Sequence, residues 1–180
     1  MSTVVRETKE TQIRCVVTRG GNGAATVDTS HAFLDHMLVT FARYSGLDVT
    51  VQARGDLPHH LIEDVAICLG AAIAAELPPT AARYADRTIP MDDALVQCAI
   101  DLGGRPYYRG KLPIAIWEHW MRSFSDNAKA TLHLRVIRGM DTHHIVEGAF
   151  KALGLCVRDA FVESGAVFST KGSVALQVSE

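Results

Sequence analysis

Polar and apolar residues alternate from Thr11 to Arg19, the period-two pattern of a strand with one buried face. Gly20-Gly21-Asn22-Gly23 then reads as a turn, and Ala24 to Thr29 as a second strand. The period changes after that. Phe33, Met37 and Phe41, with Leu34 and Leu38, recur at three- and four-residue spacing, which predicts a helix from Ala32 to Tyr44. Gly46 stands where a helix C-cap glycine would. Leu47 to Ala53 reads as a strand, and His59 to Glu76 as a helix stopped by Pro78 and Pro79.

The same order returns. Ala94 to Leu102 reads as a strand, Gly103-Gly104 as a turn and Arg105 to Leu112 as a strand. Ile114 to Asn127 follows as a helix, Ala130 to Arg138 as a strand and His143 to Val162 as a helix. Each half is β-β-α-β-α. This predicts an α+β fold made by tandem duplication, with two sheets packed against helix pairs. We divide the repeats at residues 1–86 and 87–180 and expect them to form one compact domain.

Composition narrows the class. Of 180 residues, 48% are apolar and 21% charged, as in ordinary soluble domains. The net charge of −2 supplies no basic field for nucleic acid. No apolar run approaches the roughly 18 residues of a membrane span, and there is no signal-peptide core, so the expected location is cytoplasmic. Cys15, Cys68, Cys98 and Cys156 are scattered in apolar contexts and read as buried, reduced thiols.

The repeat extends to reactive residues. His59-His60-Leu61-Ile62-Glu63 opens the last helix of the first half, and His143-His144-Ile145-Val146-Glu147 that of the second. His36 and His119 lie 23 and 24 residues ahead of these pairs, each on the preceding helix. Positions i and i+4 share a helix face, so His59 can converge with Glu63 and His143 with Glu147. Adjacent residues diverge by about 100°. His60 and His144 therefore cannot easily serve the same ion as their neighbours. The simplest solution is two ions, with each pair split between them and eight donors forming two sets of four. The order is not His-Glu-x-x-His, so a zinc-protease motif is excluded. Imidazole and carboxylate donors suit Zn, Fe, Co or Mn. His31 and His133 are assigned to neither ion.

Arg83, Arg105, Lys151 and Lys171 supply dispersed positive charge. Lys151 is four residues beyond Glu147 on the ligand helix, about 12 Å along it from His143 at about 1.5 Å per residue. Ser169-Thr170-Lys171-Gly172 offers a hydroxyl, a cation and a pliant glycine, a set suited to phosphate.

Together, Phe33-Leu34-Asp35-His36-Met37, both His-His-x-x-Glu motifs, Pro90-Met91-Asp92, Gly104-Arg105-Pro106, Glu118-His119, Phe150-Lys151-Ala152 and Ser169-Thr170-Lys171-Gly172 resemble the imidazoleglycerol-phosphate dehydratases. The resemblance runs from about Arg6 to Gly172. It implies dehydration of D-erythro-imidazoleglycerol phosphate to imidazoleacetol phosphate in histidine biosynthesis, through a metal-bound imidazolate. It implies two manganese ions per subunit on His36, His59, His60, Glu63, His119, His143, His144 and Glu147, although the affinity order favours zinc. It implies a phosphate grip by Arg83, Arg105, Lys151, Ser169 and Lys171, and proton transfer by Glu10 in Thr8-Lys9-Glu10-Thr11, with Glu63 and Glu147 able to contribute. Sites between subunits in a shell of 24 copies also follow from the resemblance. The chain departs from the family in trimmed segments before His59, Trp117 and Ser169.

Two other readings use the same residues. A metal-cemented assembly protein would need the eight donors but no cationic cluster. A metal-dependent phosphoesterase would place more carboxylates beside the phosphate.

Overall fold

The structure, a computed structural model, describes residues 1–166. The first half runs β1 (Ser2–Glu7), β2 (Thr11–Thr18), β3 (Ala25–Asp28), α1 (Ala32–Ser45), β4 (Asp48–Gly55) and α2 (Pro58–Glu76). The second runs β5 (Tyr84–Met91), β6 (Ala94–Asp101), β7 (Tyr107–Arg109), α3 (Ala115–Asn127), β8 (Thr131–Arg138) and α4 (Thr142–Ala160). The expected β-β-α-β-α repeat is present, and each half has one further strand at its start.

Those leading strands, β1 and β5, are edge strands in sheets ordered β1-β2-β4-β3 and β5-β6-β8-β7. An edge strand has one free side and needs little apolar patterning. In β1 only Val4 packs on the core, and β5 tolerates Pro90 because an edge need not donate every amide. Neither strand announces itself in the sequence. β5 begins at Tyr84, so the division at 86/87 falls inside it. The segment expected as a strand from Arg105 to Leu112 pairs only over Tyr107–Arg109.

Both sheets have the same wiring: two antiparallel pairings and one parallel pairing at the far edge. Each buries one face. Ile13, Cys15, Val17, Val49, Val51 and Ala53 point inward from the first sheet. Val96, Cys98, Ile100, Leu132 and Leu134 do so from the second. The helices fill the space between. α2 covers the first sheet and α4 the second, while α1 packs on α4 and α2 on α3. One continuous core results, centred on Trp120, Phe124, Phe150 and Phe41, with the Trp120 and Phe150 rings 4.5 Å apart. The helix contacts that join the halves are therefore crossed, and this crossing positions the reactive residues.

Candidate metal centres and their surroundings

Local sequence sets the start of each ligand helix. Asp141 caps α4, its carboxylate accepting the His143 backbone N–H at 2.8 Å. α2 opens with Pro58, whose missing N–H costs nothing at a first helical position. His143 and Glu147, and likewise His59 and Glu63, fall on one helix face by their four-residue spacing.

Because α1 lies on α4, His36 of the first half meets His143 and Glu147 of the second. His36 Nε2 and His143 Nε2 stand 3.5 and 3.1 Å from Glu147 Oε2. The reciprocal contact of α3 with α2 brings His119 to His59 and Glu63. His119 Nε2 and His59 Nε2 lie 3.1 and 3.8 Å from Glu63 Oε2. In each trio the donor atoms lie within 4.8 Å of one another. Both groups can hold a metal ion. The donor chemistry fits: two imidazole nitrogens and one carboxylate oxygen aim at a common point. His119 Nε2 is also buried, facing the Glu63 carboxylate of its own trio without a formed hydrogen bond.

Glu147 is 7% exposed. Burial pushes its carboxyl up, but Lys151 and His36 outweigh burial and hold it below the usual range. The Lys151 ammonium folds back along the helix to 2.9 Å from Glu147 Oε1 and lies over the Tyr44 ring. The 12 Å separation inferred from helix rise thus applies to the backbone and not to the charged tip.

His60 and His144 join neither trio. His60 Nδ1 bonds Asp56 Oδ1 at 2.8 Å, and Glu10 Oε2 is 3.7 Å away. His144 Nδ1 bonds Asp93 Oδ1 at 2.7 Å, with Asp92 Oδ2 3.3 Å from its Nε2. Asp93 is held at about 2 by the Met140 N–H, His144 and the Asp141 N–H. Hydrogen bonds to Asp56 and Asp93 raise His60 and His144 respectively. A carboxylate on Nδ1 is the usual second partner of a metal-bound histidine. Sequence reasoning missed Asp56 and Asp93. Asp56 sits four residues before His60, but outside the helix, where that spacing carries no directional meaning.

The cations separate. Arg83 donates to Leu102 O and Asp101 Oδ1. A Cβ built at Gly104 would stand 3.1 Å from Arg83 Nη2, so Arg83 lies beside the turn that carries Arg105. The Arg83 N–H bonds Ala160 O at the C-terminal end of α4. That is 17 residues, roughly 25 Å, from His143. Within one chain, the Arg83–Arg105 corner lies apart from the trios, whereas Lys151 touches Glu147 of one of them. Ser169 and Lys171 lie outside the described residues. His31 caps α1 and His133 lies on an exposed sheet face beside Tyr107, in neither trio.

Fold and site thus define a class: a duplicated α+β protein with two quasi-equivalent histidine–carboxylate centres, each built from both repeats. Comparison with known proteins identifies the family. The imidazoleglycerol-phosphate dehydratase family model matches residues 29–157. The chain is 43% identical to the imidazoleglycerol-phosphate dehydratase of Chlorobaculum tepidum, over 94% of this chain and 95% of that protein. The crystal structure of the Pyrococcus furiosus enzyme superposes with a TM-score of 0.86 at 36% identity, covering 95% of this chain and all of that one. That of the Staphylococcus aureus enzyme gives 0.77 at 28%, covering 91% of this chain and all of that one. The chain belongs to the imidazoleglycerol-phosphate dehydratase family.

Proposed function

We propose that this protein is a manganese-dependent hydro-lyase that converts D-erythro-imidazoleglycerol phosphate to imidazoleacetol phosphate in cytoplasmic histidine biosynthesis. The observation that carries the reading is the pair of crossed trios, in a chain aligned almost end to end with relatives of that name. His36, His143 and Glu147 hold one ion, and His59, Glu63 and His119 the other. Zn, Fe or Co could replace manganese on these donors.

His60 and His144 supply the fourth ligand of a neighbouring copy's trio. Their Nδ1 atoms are occupied by carboxylates, and they do not reach the trios of their own chain. A closed assembly of many copies, 24 by family resemblance, follows from this division. The same division accounts for the cations. The Arg83–Arg105 corner of one copy, with Lys151, Ser169 and Lys171, grips the phosphate of a substrate whose ring lies on another copy's metal donors.

The reaction removes a hydroxyl next to the imidazole ring and a proton from the adjacent carbon, giving an enol that becomes a ketone. That carbon acid is too weak for a side-chain base acting alone. Bound manganese would supply Lewis acidity to the imidazole nitrogens and so lower the cost of the anionic ring. Glu10, exposed beside His60, transfers the proton. Glu63 and Glu147 contribute from the metal centres, and Lys151 keeps Glu147 ionised. The phosphate grip turns remote binding into correct placement of the ring.

The test is direct. Folded, manganese-loaded protein should form the ketone from imidazoleglycerol phosphate, and chelation should abolish turnover. No ketone from loaded, folded protein would overturn the proposal.

A further inference from the structure

The repeats offer an internal comparison, because equivalent positions in the two halves can be read side by side. Under the β1–β2 turn of the first half lies a polar group that its twin lacks. Asp64, on α2 beside Glu63, is 8% exposed. Its Oδ1 pairs with Arg6 Nε at 3.0 Å, and its Oδ2 accepts the Thr11 hydroxyl at 2.5 Å. The counterparts of Arg6, Thr11 and Asp64 in the second half are Ile89, Ala94 and Gly148, as the aligned strand and helix bounds show. Ile89 packs on the core, and a Cβ at Gly148 would touch Val96 at 3.2 Å. The second half closes the same strand–helix junction with small and apolar groups. The fold therefore does not require a buried charge here, and burying one is costly unless every partner is present.

Both turns carry an acid, but Asp93, the counterpart of Glu10, bonds His144 Nδ1 directly at 2.7 Å, whereas Glu10 stands 3.7 Å from His60 and is held through its backbone. Thr11 carries the link onward. The Thr8 hydroxyl is 3.1 Å from the Thr11 hydroxyl and accepts the backbone N–H groups of Glu10 at 3.1 Å and Thr11 at 2.9 Å. The Glu10 carbonyl accepts the Asp56 N–H at 3.0 Å, and Asp56 in turn holds His60. A continuous chain runs from Asp64 through Thr11 and Thr8 to the backbone of Glu10.

We infer that Asp64, charge-balanced by Arg6, acts through Thr11 and Thr8 as a positioning group that fixes the Glu10 turn over the ligand helix. The inference rests on the reading of Glu10 as the proton-transferring residue. Its geometric part stands on the contacts alone.

The experiment uses the full chain, assembled and manganese-loaded. Thr11→Val removes the hydroxyl and keeps the shape, and Thr11→Ser restores the hydroxyl. R6I/T11A/D64G installs the set with which the second repeat already folds. Amide hydrogen exchange at Glu10 and Thr11 is measured together with kcat and KM for imidazoleglycerol phosphate. Thr11→Val and the triple variant should accelerate exchange at both amides and lower kcat by about 10- to 100-fold, the cost of a displacement near 1 Å, with KM unchanged. Thr11→Ser should restore both. Wild-type exchange in Thr11→Val, faster exchange with unchanged kcat, or a loss that Thr11→Ser does not repair would each overturn the inference. If the wild-type protein forms no ketone, the proposed function fails. The exchange data then judge this inference alone: faster exchange supports the turn-holding chain, and unchanged exchange overturns it.

Discussion

His60 and His144 each commit Nδ1 to a carboxylate, and that commitment decides which nitrogen remains for a metal. The carboxylate fixes tautomer and ring orientation and raises ligand basicity. Asp56→Asn and Asp93→Asn should therefore weaken manganese binding by roughly 10- to 100-fold without displacing any donor. Isothermal titration checks this, and unchanged affinity would mean that these histidines do not ligate. His59, His143, Glu63 and Glu147 were legible because helix spacing dictates a shared face. Asp56 and Asp93 were not, because turn residues acquire direction only from the folded backbone. All four cysteines are buried and none is in a disulfide. Burial raises Cys15 to about 12 and Cys68 to about 11. An unfolded thiol ionises near 8.5, so unfolding releases protons once pH exceeds that value. This contribution to stability is fully present below about 8.5 and is lost as pH rises toward 11 to 12. Iodoacetamide at pH 8 should leave the native protein unlabelled and modify four sites after denaturation.

At the scale of elements, two glycines let the crossed helix pairs approach. Gly70 on α2 and Gly154 on α4 occupy equivalent positions. A Cβ at Gly70 would lie 2.6 Å from Phe124 O, and one at Gly154 would lie 2.9 Å from Tyr44 Cβ and 3.0 Å from Phe41 O. Neither backbone oxygen can yield without shifting a helix. Gly154→Ala should destabilise the fold by about 1–3 kcal/mol, as overpacking does, and weaken metal binding chiefly at His36–His143–Glu147. Gly70→Ala should spare that centre and weaken His59–Glu63–His119. Chemical denaturation and site-resolved metal titration would show the split, and equal losses at both centres would contradict it. Helix existence and order were readable from periodicity, whereas the crossing was not. A 23- or 24-residue interval places a histidine on the previous helix but does not say which partner helix it faces. The edge strands β1 and β5 escaped because half-exposed strands carry little apolar signal.

For the whole molecule, the decisive feature is how the eight candidate donors divide. Each trio offers three, and His60 and His144 join neither trio of their own chain. The paired histidines themselves were legible, and so was the need to split them. What the second histidine of each pair serves was not legible from spacing, because spacing within one sequence carries no trace of contacts between copies. If neighbouring copies complete the trios, ions that bind only the assembled form must stabilise it. Removing metal should then loosen the assembly, and so should acidification toward pH 5, since a protonated imidazole cannot ligate. Sedimentation of the same preparation with manganese, after chelation and after manganese is restored, decides whether His60 and His144 bridge copies through metal. The expected result is a large particle that shrinks to a smaller oligomer on chelation and re-forms with manganese, while His60→Ala stays small even when manganese is present. A particle mass that is identical with and without metal, in the wild type and in His60→Ala, would rule out metal bridging by these histidines.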